Sequence, residues 1–135
     1  MIGLDTNILV RYFAQDDPVQ TPQATEIMER RLTPDCPGFV SIVAMVETVW
    51  VLERAYRLAD NRIAAVIEQM LEADVLVVEN EHEVFTAMVA LKDRRGSFAD
   101  ALIAALGARA GCARTLTFDQ KALRLPGFEL PQFAQ

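Results

Sequence analysis

Histidine is almost absent from this chain, which has a single one, His82, among its 135 residues. Zinc sites built from several histidines are therefore excluded. A catalytic triad of serine, histidine and aspartate is disfavoured for the same reason. Because His82 stands alone between Glu81 and Glu83, we expect it to lie on the surface near the start of a helix.

Cysteine is also scarce. Cys36 and Cys112 are far apart in sequence and match no metal-ligand spacing. Two isolated thiols in an intracellular domain with a hydrophobic core are more often small buried residues than a disulfide. We therefore expect both cysteines to be buried and unpaired.

Long apolar runs are missing as well. No run approaches the roughly 18 residues that a membrane span requires, and Val40–Leu52 is shorter and contains Glu47. Asp5 interrupts the first apolar run, so the N-terminus lacks the basic-then-apolar pattern of a signal peptide. These absences predict a cytoplasmic protein that does not enter a membrane.

Positive charge is in short supply, because the formal net charge is −6 at pH 7. This balance argues against a basic protein that coats nucleic acid electrostatically. A nucleic-acid enzyme remains compatible with it, since a cluster of acids around metal ions raises the negative count.

The length predicts one domain over residues 1–135. Short apolar runs alternate with helical stretches, which predicts the α/β class: three α/β/α layers with a central, mostly parallel sheet of four to five strands. The predicted strands are Met1–Leu4, Phe39–Ser41, Val75–Val78 and Thr115–Phe118. The predicted helices begin near Thr6, Asp17, Ile42, Asp60, Glu83 and Phe98 and end near Phe13, Leu32, Arg57, Ala73, Lys92 and Ala110.

Four carboxylates map to the carboxyl ends of these strands, the edge where open parallel sheets bind ligands. They are Asp5, Glu47, Asp100 and Asp119. Two carboxylates about 4 Å apart repel by roughly 4 kcal/mol at a protein surface. A divalent cation removes this repulsion, and ligation by oxygen alone selects a hard ion such as Mg²⁺ or Mn²⁺.

Three of these acids also fit a purely structural role. Asp5 can cap the first helix, Ser97 to Asp100 fits a capping box, and Thr117 to Gln120 fits the same pattern, in which Asp119 can itself be the cap. Glu47 differs, because its helical neighbours include Val43 and Trp50. We therefore expect Glu47 to be partly buried and to need a cation or a hydrogen-bond partner.

The ordered set of motifs resembles the PIN-domain nucleases, and among them the VapC-like toxins of bacterial toxin–antitoxin pairs. The resemblance covers essentially the whole chain and rests on Ile2–Leu9, Val46-Glu47, Ser97–Ala105 and Thr115–Asp119. One position departs from many relatives: Lys121 stands where they carry a second acid after the fourth aspartate. The metal contact of Asp119 is therefore expected to be weak or through water, helped by the Thr117 hydroxyl.

The resemblance implies hydrolysis of RNA phosphodiester bonds by one or two Mg²⁺ ions held by the four acids. Asn7 and Ser97 are then candidates to orient ligands or waters, although Asn7 is equally a helix cap. Lys92, Arg94 and Arg95 precede the third motif and are candidates for phosphate contacts. Their alternative role is to supply favourable charge at a helix C-terminus.

The same resemblance implies a homodimer and a cognate antitoxin that occupies the active-site groove. The predicted helices Asp17–Leu32 and Ile42–Arg57, with Trp50 and Phe13, suit such an interface or else complete the core. The alternatives are an RNA-processing nuclease outside a toxin system and a binding module without activity. A phosphoacceptor domain is disfavoured because Asp5 stands alone and no aspartate follows Val78, and a nuclease of structured DNA is disfavoured by the small size.

Overall fold

The structure is a computed structural model that describes residues 1–134. The chain separates into two compact units, Met1–Glu81 and His82–Gln135. Each unit has its own parallel strands and helices.

A three-stranded parallel sheet organises the first unit. Its strands are β1 (Ile2–Gly3), β2 (Gly38–Val40) and β3 (Leu76–Val78), in the order β1-β2-β3. Gly38 pairs with Ile2 on one side and with Leu76 on the other. A Cβ atom at Gly38 would lie 2.7 Å from a Leu4 methyl carbon and 2.9 Å from a Leu32 methyl carbon, so a larger residue would require these side chains to shift.

Two helices follow each of the first two strands of this unit. They are α1 (Thr6–Ala14), α2 (Gln20–Glu26), α3 (Ile42–Arg54) and α4 (Asp60–Glu72), and α2 continues as a π-helical turn, Ile27–Arg31. The largest side chains with essentially no exposure in this unit are Leu9, Val40, Met45, Leu52, Ile63, Ile67 and Met70. On α4 three of these, Ile63, Ile67 and Met70, recur at helical spacing, which is the pattern of one buried face.

The second unit contains two helices and a short parallel ladder. They are α5 (Glu81–Lys92), which begins at the last residue of the first unit, α6 (Phe98–Arg109), β4 (Thr115–Leu116) and β5 (Phe128–Glu129), with a 3₁₀ turn at Ala122–Arg124. Thr115 pairs with Phe128 in the ladder. The core of the second unit includes Val84, Met88, Phe98 and Leu102, all with almost no exposure.

The predicted α/β class with parallel strands is confirmed, and the sheet is smaller than expected. Among residues 1–134, five strands form two ladders, of three and two strands, and β5 lies in the tail, where no strand was predicted. Val77 is 42% exposed, so β3 is not covered on both faces as its apolar run had suggested. The helix predicted to reach Arg57 ends at Arg54, since Arg57 has a φ of 52°, outside helical values.

The scarce residue types are only partly where they were expected. His82 is exposed near the start of α5, as predicted. Both cysteines are unpaired, but Cys36 is half-buried and Cys112 is exposed, so the expected burial was wrong. Cys112 follows Gly111, which has a φ of +98° in the turn after α6. Within residues 1–134, every helix is too short or too polar to cross a membrane.

Candidate active site

Asp5 lies between β1 and α1 and caps the helix. Its backbone is extended, with φ −81° and ψ 159°, and its Oδ1 accepts a 2.7 Å hydrogen bond from the Thr6 amide. The carboxylate is nonetheless exposed and lines a cavity. The capping role and the availability of Asp5 as a ligand are therefore compatible, because a cap uses only one of the carboxylate's lone pairs.

Glu47 lies in the middle of α3, and the expectation that it is partly buried was wrong. The helix is capped by Ser41, whose hydroxyl accepts from the Ala44 amide at 3.1 Å. Its core face carries Met45 and other residues, whereas Glu47 is exposed. Of the four apolar neighbours that suggested burial, Val43 is 74% and Trp50 56% exposed, whereas Val51 is half-buried and Ala44 is buried.

Thr6 joins these two acids. Its side-chain hydroxyl donates a hydrogen bond to Glu47 Oε1, and its backbone amide donates to Asp5. The residue is 8% exposed, so its hydroxyl is held away from solvent. Thr6 was not predicted as a site residue, although one signal was present: it is the one hydroxyl residue on the buried face of α1, beside Leu9 and Val10.

A cavity of about 470 Å³ opens at these acids. The side chains that give it polar or aromatic character are those of Asp5, Asn7, Arg11, Glu47, Trp50 and Tyr56. Asn7 is exposed here, and the capping role that was open to it belongs to Asp5.

A hydrogen-bond network stands at one side of this cavity. Arg11 donates to Gln20 at 2.9 Å and to the Tyr56 hydroxyl at 3.2 Å, and lies 3.5 Å from Asp16. Tyr56 in turn donates to Asp16 at 2.9 Å. Burial, and then the hydrogen bond to Asp16, raise the pKa of Tyr56 above its ordinary value. The phenol therefore stays protonated and acts as a donor at neutral pH.

Asp100 and Asp119 belong to the second unit, and each is held by its own local turn. Ser97 caps α6 by accepting from the Asp100 amide at 3.1 Å, and the half-buried Asp100 is the third residue of that helix. The exposed Asp119 donates its amide to the Thr117 hydroxyl at 3.0 Å, and its Oδ1 accepts from the Lys121 amide at 2.9 Å. Lys121, which stands where many relatives carry a second acid, thus orients Asp119 through the Lys121 backbone amide.

The three basic residues before α6 are all exposed. Lys92 is the last residue of α5, Arg94 has a left-handed φ of 57°, and Arg95 lies 3.9 Å from Asp93. Lys92 therefore fits the helix C-terminus role. The side chains of Arg94 and Arg95 extend from the turn between α5 and α6, where they are accessible to an anion.

The donor set of the first unit fits a hard divalent cation. Asp5 and Glu47 provide carboxylate oxygens at one cavity, with no sulfur or imidazole donor lining it. Within either unit, the residues up to 134 contain no group of three or more acidic, histidine or cysteine side chains arranged to hold a metal. Mg²⁺ often takes only one or two carboxylates and keeps several waters, so two acids at one cavity are a suitable start.

The comparisons agree with this donor chemistry. The PIN domain family matches residues 2–127, which include parts of both units and all four predicted acids. No match was found among curated proteins. PIN domains are generally nucleases, and they generally use divalent metals. The chain belongs to the PIN domain family and has its nuclease-type α/β fold.

Proposed function

We propose that this protein is a Mg²⁺- or Mn²⁺-dependent endoribonuclease and the toxin of a type II toxin–antitoxin pair. One observation carries the enzymatic part: Asp5 and Glu47 meet at one cavity, and the Thr6 hydroxyl, 41 residues away from Glu47 in sequence, ties them together. A solvated surface acid has no need of such a long-range tether.

In this proposal the metal ligands are Asp5, Glu47, Asp100 and Asp119. A divalent ion held by these residues would supply positive charge at the scissile phosphate and would lower the pKa of a nearby water. Thr6 fixes the direction of Glu47, and a carboxylate of the set accepts the proton of the attacking water. Asn7, Ser97 and Thr117 orient the acids or the waters around them.

RNA binding needs cations, since the protein is acidic overall. In the proposal Lys92, Arg94 and Arg95 contact phosphates near the acids, and the metal offsets part of the negative charge. Binding through so few basic residues is expected to be modest and to weaken as salt rises.

Four parts of the proposal go beyond membership of the PIN family and rest on the resemblance to VapC-like toxins. They are the toxin role, the cognate antitoxin, the homodimer and the cytoplasmic location. The exposed apolar side chain of Val43 on α3 is consistent with a protein partner on that helix. The second candidate is a PIN-fold RNA-processing nuclease outside a toxin system, which has the same site. Growth arrest on expression, relieved by co-expression of the neighbouring gene product, distinguishes the two.

Cleavage of defined RNAs tests the enzymatic proposal. Wild-type protein is compared in Mg²⁺ and in EDTA with the Asp5→Asn and Asp100→Asn variants. Asparagine caps a helix as well as aspartate does, so Asp5→Asn is expected to fold normally while losing a charged ligand. We expect cleavage to require Mg²⁺ and to be lost in both variants. Unchanged Mg²⁺-dependent cleavage by both variants would rule out this mechanism, and an inactive wild type would favour a binding module.

A further inference from the structure

Trp50 is an unusual residue to leave on the surface. It is the only tryptophan of the chain and is 56% exposed. It lies one helical turn beyond Glu47 on α3 and lines the same cavity as Asp5 and Glu47. More than half of this large aromatic ring is left in water beside the candidate ligands, where its flat face is available to a bound molecule.

The groups around Trp50 favour a ligand that carries both negative charge and planar rings, such as a nucleotide. The Arg54 guanidinium lies 5.6 Å from the ring centroid, within cation–π range. Arg11 and Tyr56 contribute a cation and a phenol to the same cavity. An aromatic platform with arginines beside it is the arrangement by which proteins hold unpaired bases and their phosphates.

Charged side chains stand beside the tryptophan in this cavity, whose lining is otherwise largely apolar. The centres of protein interfaces are depleted of charged residues. Here the tryptophan shares its cavity with Asp5, Arg11 and Glu47. A nucleotide chain uses all of these groups at once, since its phosphate is drawn to the metal site and its base to the indole ring.

We propose that Trp50 is a base-stacking subsite that takes one unpaired nucleotide next to the scissile phosphate of single-stranded RNA. The subsite rests on the proposed function, because it presumes that RNA crosses the cavity at Asp5 and Glu47. It gives the protein a preference for single strands, since a base within a duplex is already stacked on its neighbours. Stacking on an aromatic ring tolerates every base, so the subsite selects strandedness more than sequence.

The single tryptophan makes direct detection of binding possible. The Asp5→Asn variant, which the proposed function holds to be inactive, is titrated at low salt with a short oligoadenylate while tryptophan fluorescence is recorded. Mg²⁺ is raised until the signal no longer depends on it, which offsets the weaker metal binding expected of this variant. We expect saturable quenching by the single strand. Inorganic phosphate, and the same sequence annealed into a duplex, are expected to leave the fluorescence nearly unchanged.

Kinetics provide the second readout. Trp50→Ala is expected to raise KM for single-stranded RNA about tenfold, within the range for loss of one stacked base, with a smaller change in kcat. Trp50→Phe keeps an aromatic face and is expected to stay close to wild type. Phe85→Ala is the matched control, because Phe85 is a 51% exposed aromatic residue on α5 that does not line the cavity.

Several results would overturn the subsite. An unquenched tryptophan, or a wild-type KM for Trp50→Ala while Asp5→Asn remains inactive, contradicts the subsite and leaves the proposed nuclease intact. Quenching by the oligonucleotide without any cleavage by the wild type supports the subsite and contradicts the proposed nuclease. A dimer in sedimentation that Trp50→Ala converts to a monomer assigns the ring to a protein interface instead.

Discussion

The two units hold their candidate acids in different ways. In the first unit Asp5 and Glu47 come from distant segments and share one residue, Thr6, that donates to both. In the second unit Asp100 and Asp119 are each fixed by hydrogen bonds within three residues, through Ser97 or through the turn from Thr117 to Lys121. The first pair depends on tertiary structure, whereas the second pair depends on local turns.

This difference indicates which acids have structural support as joint metal ligands. Local capping bonds arise wherever serine, threonine or aspartate precedes a helix or turn, so they do not by themselves indicate function. The bond from the buried Thr6 hydroxyl to Glu47 joins two distant segments and caps no helix. The first unit therefore carries the stronger structural argument for a metal site, and variants of the two units should differ accordingly.

The largest expected contrast is between Glu47→Gln and Asp119→Asn. Glutamine keeps an oxygen for the Thr6 hydroxyl but removes the charge, so we expect Mg²⁺-dependent cleavage to fall by more than about a hundredfold, beyond what a supporting residue costs. Asp119 is exposed and already accepts from Lys121, so its variant is expected to lose about tenfold or less. Initial rates at saturating Mg²⁺ measure both. Equal losses would remove the distinction between the units.

The Thr6 hydroxyl provides the next contrast. Thr6→Val keeps the shape of the side chain but removes the donor to Glu47, and we expect a 10- to 100-fold loss of metal affinity or activity, the usual cost of losing a group that orients a ligand. Thr6→Ser restores the hydroxyl and is expected to recover most of that loss. The Mg²⁺ concentration at half-maximal rate is the measurement, since a simple packing defect would not change it.

Ser97→Ala is the comparison variant in the second unit. It removes the cap of α6 and is expected to lower the free energy of unfolding by about 1 kcal/mol. Because Ser97 bonds the backbone amide of Asp100 and not its carboxylate, this variant is expected to raise the Mg²⁺ requirement less than Thr6→Val does. The comparison fails if the two variants shift the Mg²⁺ requirement equally.

The smallest effect concerns an ion pair away from the acids. Glu83 is 6% exposed, and its Oε1 lies 3.6 Å from Arg109, too far for a hydrogen bond. Arg109→Ala leaves this buried carboxylate unpaired, which is expected to cost roughly 1–2 kcal/mol. Arg114→Ala breaks the exposed pair with Glu129 and is expected to cost about 0.5 kcal/mol or less. Urea unfolding measures both, and equal values would contradict the assigned importance of burial.

Much of this architecture could be predicted because its signals are local. The start of α1 at Asp5, the start of α6 at Ser97 and the buried face of α4 follow from capping residues and helical spacing. The strand β5 could not be found, since two residues between prolines and a glycine carry no period. Its strand character comes from pairing with β4.

The site was predictable in its residue types but not in its geometry. Asp5 and Glu47 were identified from strand ends and an acid among apolar residues, yet the burial inferred for Glu47 was wrong. Helical neighbours reveal which residues share a face but not whether another element covers that face, and the face with Val43 and Trp50 is uncovered. The bond from Thr6 to Glu47 spans 41 residues, a distance at which sequence periodicity carries no information.

The central claim is that carboxylates from separate segments of the chain together bind a divalent metal ion. Direct titration with Mn²⁺ tests it. Isothermal calorimetry on wild type, Asp5→Asn and Asp100→Asn requires no RNA and no turnover. We expect saturable binding by the wild type and an affinity at least about tenfold weaker in each variant. Wild-type affinity in either variant, or no binding by the wild type, would contradict the account.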